Sequence, residues 1–424
     1  MKKLTLPLAL AATLAAVTLG VPAHAQDSAE SKILTHQAVG EPRSGGDTLE
    51  QAPELPAGAS QDLLPVTGED HGRYYKLPAV DEGERAHVSA QLIVDPLNQP
   101  TSRESIRLDG ELVTLDGKQC SSRDNVRISR AQFDGPALLT LDTGVKRTDS
   151  SGGCLSQNND EVYLKISRDG LWQADTEIPL ELRVIVEPAM DPTTLSGLLP
   201  EKLPPASLSV DAPAEPVSGG SGFATATELA GTSVSTDSVL PFEVKYYRVH
   251  VSEGQRLNYR LTVGDSREAS AQRLVTAAFS PLLSDQIMDR PSQALEREQV
   301  GSSVTRNTLS EVSRDLVDAH SSQSWLRTPG YYYITVSGAA RDPRGLSPLE
   351  YELAVELTGE ATASDHWEPA SDLRGAEGTS LGFEATASNG WLPSTAQLGA
   401  LLGGVAVALA GFAGVWFLGR RKRS

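Results

Sequence analysis

Residues 257–263 place an apolar side chain at every second position: Leu257, Tyr259, Leu261 and Val263 alternate with Asn258, Arg260 and Thr262. A period of two belongs to an extended strand that buries one face and wets the other, whereas a helix repeats at 3.6. The same phase returns in Ala86, Val88, Ala90 and Leu92. Tyr351, Leu353, Val355 and Leu357 alternate with Glu350, Glu352 and Glu356. Leu182, Val184 and Val186 alternate with Glu181, Arg183 and Glu187. A one-residue slip would carry the glutamates into the core, so the register is well specified. Gly83 and Gly254, each between two such strands, mark tight turns, and Asp109-Gly110 and Asp116-Gly117 are further turn signals. The one helical candidate covers about 309–319.

The alternating segments belong to a duplicated unit. Glu41-Pro42-Arg43-Ser44-Gly45-Gly46 recurs as Glu215-Pro216-Val217-Ser218-Gly219-Gly220, and Tyr74-Tyr75-Lys76 as Tyr246-Tyr247-Arg248. Glu82-Gly83-Glu84-Arg85 recurs as Glu253-Gly254-Gln255-Arg256. Asp95-Pro96-Leu97 has a weaker echo in Ser280-Pro281-Leu282. Leu164-Lys165-Ile166-Ser167 matches Ile334-Thr335-Val336-Ser337, and Pro179-Leu180-Glu181 matches Pro348-Leu349-Glu350. The matches keep one order, so two copies are expected, at 41–188 and 215–358. Many short alternating strands in each copy imply a mainly β chain of two tandem antiparallel β-sandwiches.

Residues 246–257 read Tyr-Tyr-Arg-Val-His-Val-Ser-Glu-Gly-Gln-Arg-Leu, and 330–336 read Gly-Tyr-Tyr-Tyr-Ile-Thr-Val, followed by Tyr351-Glu352-Leu353. This pattern resembles the bacterial pre-peptidase C-terminal (PPC-like) domain. The resemblance covers the edges of both copies and departs from the family in the middles, 98–160 and 264–328. It implies small jelly-roll-like β-sandwiches of the kind usually attached to secreted proteases; no protease domain accompanies them here. The overall layout also resembles actinobacterial ectodomains with a C-terminal anchor.

The two ends carry an address. Lys2 and Lys3 open the chain, 4–19 is apolar and uncharged, and Ala23-His24-Ala25 supplies the small residues a signal peptidase accepts. Residues 1–25 therefore read as a secretory signal cleaved between Ala25 and Gln26. At the other end 398–418 carries no charge and is long enough, at about 1.5 Å per residue, to cross a ~30 Å hydrocarbon core. Trp391 and Trp416 sit where amphipathic rings favour the membrane interfaces, and Arg420, Arg421, Lys422 and Arg423 follow. Basic flanks stay cytoplasmic, which makes 419–424 an inner tail and leaves the body outside, as a single-pass type I protein.

The same C-terminus resembles a Gram-positive sortase sorting signal. Leu392-Pro393-Ser394-Thr395-Ala396 precedes the apolar run and the basic tail, with Ala396 where that family has Gly. The resemblance implies cleavage after Thr395 and transfer to the cell wall. Simple membrane retention and sortase processing both stand as expectations.

Between these parts lie 26–40, polar and loose, and 189–214, with Pro192, Pro200, Pro204, Pro205 and Pro213. The latter reads either as a semi-stiff joint or, through Leu195, Leu198 and Leu199, as a strap packed on the copies. Residues 359–397 are rich in small and acidic residues and read as a stalk. Cys120 and Cys154 are the only cysteines. In an oxidising exterior their default is a disulfide, local to the first copy.

The chain carries few motifs that point to chemistry. Gly378-Thr379-Ser380-Leu381-Gly382 fits the nucleophile-elbow pattern, but it lies in the stalk and lacks the strand and helix that an elbow needs. His36, His71, His87, His250, His320 and His366 are far apart, and His87 and His250 fall on the polar phase of strands, which reads as solvated histidine. Glu296, Glu298 and Glu311 among Arg297 and Arg314 read as an ordinary solvated face. No zinc, phosphate, dinucleotide or EF-hand motif occurs, so no cofactor or metal site is expected, and calcium binding to the acidic exterior is left open with no loop to point at. The chain carries −18 overall, and −24 once Lys2, Lys3 and the four basic tail residues are set aside, which opposes a nucleic-acid partner. The expected function is non-enzymatic: two extracellular modules on a membrane anchor that meet an envelope protein or the wall. A wall-linked adhesin and an accessory subunit of a membrane complex or secreted enzyme system are the alternatives.

Overall fold

The computed structural model describes residues 36–369, apart from short stretches of which 197–202, 265–271 and 341–347 are the longest, together with Leu381 and Gly382. The signal segment with Ala25 and Gln26, the motif 392–396, the apolar run 398–418, the basic tail and Ser380 lie outside the described residues. Among those described, no helix is long and apolar enough to cross a membrane.

Eight strands build the first half: β1 (Gly58–Leu64), β2 (Arg73–Lys76), β3 (Arg85–Leu92), β4 (Ser105–Thr114), β5 (Asp124–Ser129), β6 (Ala137–Asp142), β7 (Val162–Gly170) and β8 (Ile178–Glu187). Eight more build the second: β9 (Thr232–Val239), β10 (Val244–Val251), β11 (Arg256–Val263), β12 (Gln272–Phe279), β13 (Ser292–Glu296), β14 (Ser303–Asn307), β15 (Gly330–Ala340) and β16 (Leu349–Thr358). The sheets run β1-β8-β3-β6 and β2-β7-β4-β5, then β9-β16-β11-β14 and β10-β15-β12-β13. Each β-sandwich thus follows the double-sheet jelly-roll order, and the two orders are identical. Short strands at Glu41–Pro42 and Ala214–Pro216 add in parallel to β1 and β9.

The alternating apolar residues fill the space between the sheets. Val88 and Leu92 meet Leu112 and Leu164 in the first sandwich, while Leu257, Tyr259 and Leu353 meet Tyr332 and Val336 in the second. Each such side chain contributes roughly 1.5–3 kcal/mol by leaving water. Gly83 and Gly254 take φ of 86° and 82°, the left-handed turn conformation that glycine adopts freely.

The repeated Gly-Gly motif has a shared physical role. Gly46 bridges Tyr74 and Gly220 bridges Tyr246. In the first sandwich Tyr75 donates its hydroxyl proton to Asp62 (2.6 Å), and the Gly45 N–H donates to the same oxygen (2.8 Å). In the second, Tyr247 and the Gly219 N–H converge on Asp237 at 2.8 and 2.9 Å. A Cβ at Gly45 would stand 2.7 Å from the Tyr75 ring, and one at Gly219 would stand 2.9 Å from the Tyr247 ring.

Several expectations need correction. Among the described residues of the helical candidate 309–319 no α-helix forms; Arg314–Asp318 and Ser322–Leu326 are 3-10 turns. Asp109-Gly110 is no turn but the middle of β4. Asp109 there accepts a hydrogen bond from Arg107 and pairs with Arg123, and Gly110 makes room for Leu139. Strand pairing sets Glu181 opposite Gln91 and Glu352 opposite Thr262. With Arg85 equivalent to Arg256, Glu181 corresponds to Glu352, two residues from the partner that the Pro-Leu-Glu match suggests. An even shift keeps the same face, so alternation alone does not distinguish the two.

The segment before the second sandwich lies along it. Arg256 donates to the carbonyls of Thr308, Pro204 and Leu203, and Leu208 packs on Val234 and Ala354.

Candidate functional site at the seam between the sandwiches

The outer face of the first sandwich's β8 and β3 is covered by the outer face of the second sandwich's β10, β12 and β15. Gln91 donates to the Tyr246 hydroxyl at 3.0 Å, and Thr140 donates to the Leu283 carbonyl at 2.8 Å. Phe133 packs at a tilt against Phe242 with ring centres 5.1 Å apart, and Tyr246 and Phe279 pack around Phe223. Asp134 reaches Arg273 at 3.5 Å.

This docking overturns the solvated reading of His87. It stands on the polar phase of β3 as expected, but that phase faces the second sandwich and His87 is 1% exposed. Glu181, Arg183 and Glu187 on β8 are buried beside it. In the correct register, these two glutamates are nonetheless inside the protein. Glu350 and Glu356 on β16 remain exposed or half-buried, as the alternation implies.

Two polar clusters occupy the seam. In the first, Arg327 grips Glu187 with Nε 2.7 Å from Oε1 and Nη2 2.6 Å from Oε2. His87 Nε2 is 2.7 Å from the same Oε2, and Nδ1 is 3.5 Å from Asp142. Arg85 stands 3.5 Å from Glu187 and 3.7 Å from Asp142, while the Trp325 ring packs edge-on against His87 at 5.6 Å. Burial pushes the Glu187 carboxyl up, but the Arg327 and His87 hydrogen bonds outweigh it and hold the group well below the usual carboxylate range. In the second cluster Glu181 accepts from the Val39 N–H (3.0 Å), from Arg183 Nε (2.8 Å) and from His36 (3.1 Å). Its burial opposes ionisation, and Arg183 and His36 more than reverse this, lowering the carboxyl to about 2.

Chemically, the seam pairs and orients. Its carboxylates are occupied by cations, and the His87 imidazole is sealed from solvent. Among the described residues, no group of three or more His, Cys, Asp and Glu is placed to hold a metal ion. Cys120 and Cys154 are joined, with Cα atoms 4.8 Å apart, closing a loop that carries β5 and β6, one strand of each sheet. His36 reaches Glu181, and the exposed His250 pairs with Glu368 at 3.0 Å. Arg314 does not belong to a solvated face: it holds Glu253 at 2.9 Å, and both side chains are largely buried. His71, His320, His366, Glu298 and Arg297 lie outside the described residues.

Sequence reasoning missed Arg327, Glu187, Glu181 and Gln91 as a group. One signal pointed toward them. Tyr331-Tyr332-Tyr333 puts aromatic rings on both faces of β15, as in a strand covered on both sides; Tyr332 lies in the core and Tyr333 in the seam.

No family model matches the chain, and no curated protein matches it. Solved structures overlap it loosely. The cowpea mosaic virus top component shares 9% identity at a TM-score of 0.19, covering 73% of this chain and 92% of that one. The CBM22-1-CBM22-2 tandem domain of Xyn10C from Paenibacillus barcinonensis shares 9% at 0.17, covering 78% and 99%. The human MASP-1/3 CUB1-EGF-CUB2 domain shares 10% at 0.17, covering 70% and 99%. At these scores the likeness carries no functional argument.

Proposed function

We propose that the chain is a non-enzymatic, single-pass envelope protein of type I topology. It displays two PPC-like β-sandwich modules outside the membrane to meet an envelope protein or the cell wall. Residues 1–25 serve as its signal, 359–397 as its stalk and 398–418 as its membrane helix. The observation that carries the reading is the Cys120–Cys154 disulfide. The chain's only two cysteines are oxidised together, which suits an exterior compartment and not a reducing cytosol. The charge-free run 398–418 with its basic tail supports an anchor. The seam adds that the modules are presented as one body.

Mass spectrometry of the mature protein tests this. The expected N-terminus is Gln26, with residues 396–424 retained and the protein recovered in the membrane fraction by detergent. A retained 1–25 segment, or recovery from the cytosol, overturns it. A second reading, covalent wall attachment, is favoured by Leu392-Pro393-Ser394-Thr395 ahead of the apolar run. That reading requires release by wall digestion, with Thr395 as the modified C-terminus.

A further inference from the structure

Glu187 Oε2 is shared. It lies 2.6 Å from Arg327 Nη2, on the second sandwich, and 2.7 Å from His87 Nε2, on its own sandwich. The two nitrogens stand 3.2 Å from each other. A carboxylate at 2.7 Å requires the imidazole to carry its proton on Nε2, since a lone pair there would face a negative oxygen. Nδ1 then holds the lone pair, and it is buried with no hydrogen-bond partner. Asp142 Oδ2 waits 3.5 Å away, ready to accept once Nδ1 bears a proton.

The charges around the ring come from every element packed on it. Arg85 lies on β3, Asp142 on β6 and Glu187 on β8, while Arg327 comes from the second sandwich. With a neutral imidazole, two guanidiniums balance two carboxylates. A proton on Nδ1 leaves one cation in excess at a site that is 1% exposed, where water does not screen it.

We propose that the shared oxygen makes the seam an acid-sensitive clasp: protonation of His87 creates an imidazolium that competes with Arg327 for Glu187 and loosens the second sandwich from the first. Asp142 holds the new proton within the first sandwich, so the charge it stabilises stays there while the inter-module bond weakens. Arg327 keeps its Nε bond to Oε1 at 2.7 Å, so the clasp slackens and the sandwiches themselves stay folded. The inference depends on the seam alone and not on where the chain resides.

The test uses the full chain in detergent micelles. An azide-bearing residue replaces Leu115 on the first sandwich and Val300 on the second, both well exposed, and each receives a spin label. Pulsed dipolar spectroscopy then reads the inter-label distance at about pH 8 and about pH 5, spanning the range over which histidines titrate. The wild-type distribution is expected to be single and narrow at the higher pH and at least roughly two-fold broader at the lower. His87→Gln keeps a donor toward Glu187 but takes no proton, and is expected to stay narrow at both. An unchanged wild type, or a His87→Gln chain that broadens equally, overturns the proposal. Should His87→Gln not fold, Glu187→Gln is read instead. Without the contested charge it is expected to be broad at both pH values, and a wild-type-like response there overturns the clasp.

Discussion

Arg327 closes on Glu187 across 140 residues of sequence, its Nε and Nη2 lying parallel to the two carboxylate oxygens at 2.7 and 2.6 Å. This forked geometry has both charges buried and joins two separately wound jelly rolls. A buried ion pair is costly to assemble and far costlier to break on one side, because the remaining charge has neither water nor a partner.

Arg327→Met should therefore destabilise the protein by about 3–5 kcal/mol, read by urea unfolding. Arg327→Lys should rescue only part, since an ammonium does not reproduce the fork. The double variant Arg327→Met, Glu187→Leu should recover most of the loss. A single variant within about 0.5 kcal/mol of wild type would show that the pair adds nothing to the seam.

The disulfide ties Cys120, between β4 and β5, to Cys154, between β6 and β7, 34 positions apart in sequence. Opening that loop frees β5 and β6 in the unfolded chain. Cys120→Ala with Cys154→Ala should cost about 2–4 kcal/mol. The melting temperature should fall to the value that wild type shows under strong reductant, measured by differential scanning calorimetry. A reductant-insensitive wild type would contradict this.

The strands and their inward faces were legible in the amino-acid pattern, because alternation reports local geometry and burial of one face is nearly obligatory. The fate of the outward face was not. His87 and His250 look alike in sequence; one is sealed under a second sandwich and the other stays exposed on Glu368. The difference arises from docking between segments more than two hundred residues apart, which no local period encodes. Turn chemistry misled at Asp109-Gly110 for a related reason. Arg107 and Arg123 satisfy the aspartate within the sheet, and Leu139 from the facing sheet fills the space a side chain at Gly110 would need. The duplicated Gly-Gly and Tyr-Tyr motifs marked equivalent positions correctly, yet the aspartates they serve, Asp62 and Asp237, lie outside any obvious sequence match.

Acid should weaken the protein through Glu181. Its folded carboxyl sits at about 2, below the ordinary glutamate value of about 4.3. A group lowered on folding contributes stability that is fully present above its unfolded value and is lost as the pH falls toward its folded one. The melting temperature should therefore drop progressively between about pH 5 and pH 2. Glu181→Gln, less stable at neutral pH, should show a shallower decline over that window. Parallel curves would remove Glu181 from the acid response.

The paired tyrosines make the duplication itself testable, because the two copies differ in one respect. Tyr75→Phe takes from Asp62 Oδ2 a hydroxyl donor at 2.6 Å and leaves that oxygen the Gly45 N–H, while Oδ1 keeps the Leu63 N–H at 2.7 Å. An under-satisfied buried carboxylate should cost about 1–3 kcal/mol. In the second copy Asp237 has a reserve, the Tyr351 hydroxyl at 3.3 Å, which also hydrogen-bonds to Tyr247 at 2.7 Å. Once Tyr247→Phe removes the competing partner, Tyr351 is free to turn its proton fully to Asp237. Tyr247→Phe should therefore cost clearly less than Tyr75→Phe in paired urea titrations, and Tyr247→Phe with Tyr351→Phe should lose more than the two single changes added together. Equal costs for the single variants would mean that the extra hydroxyl gives the second sandwich no reserve.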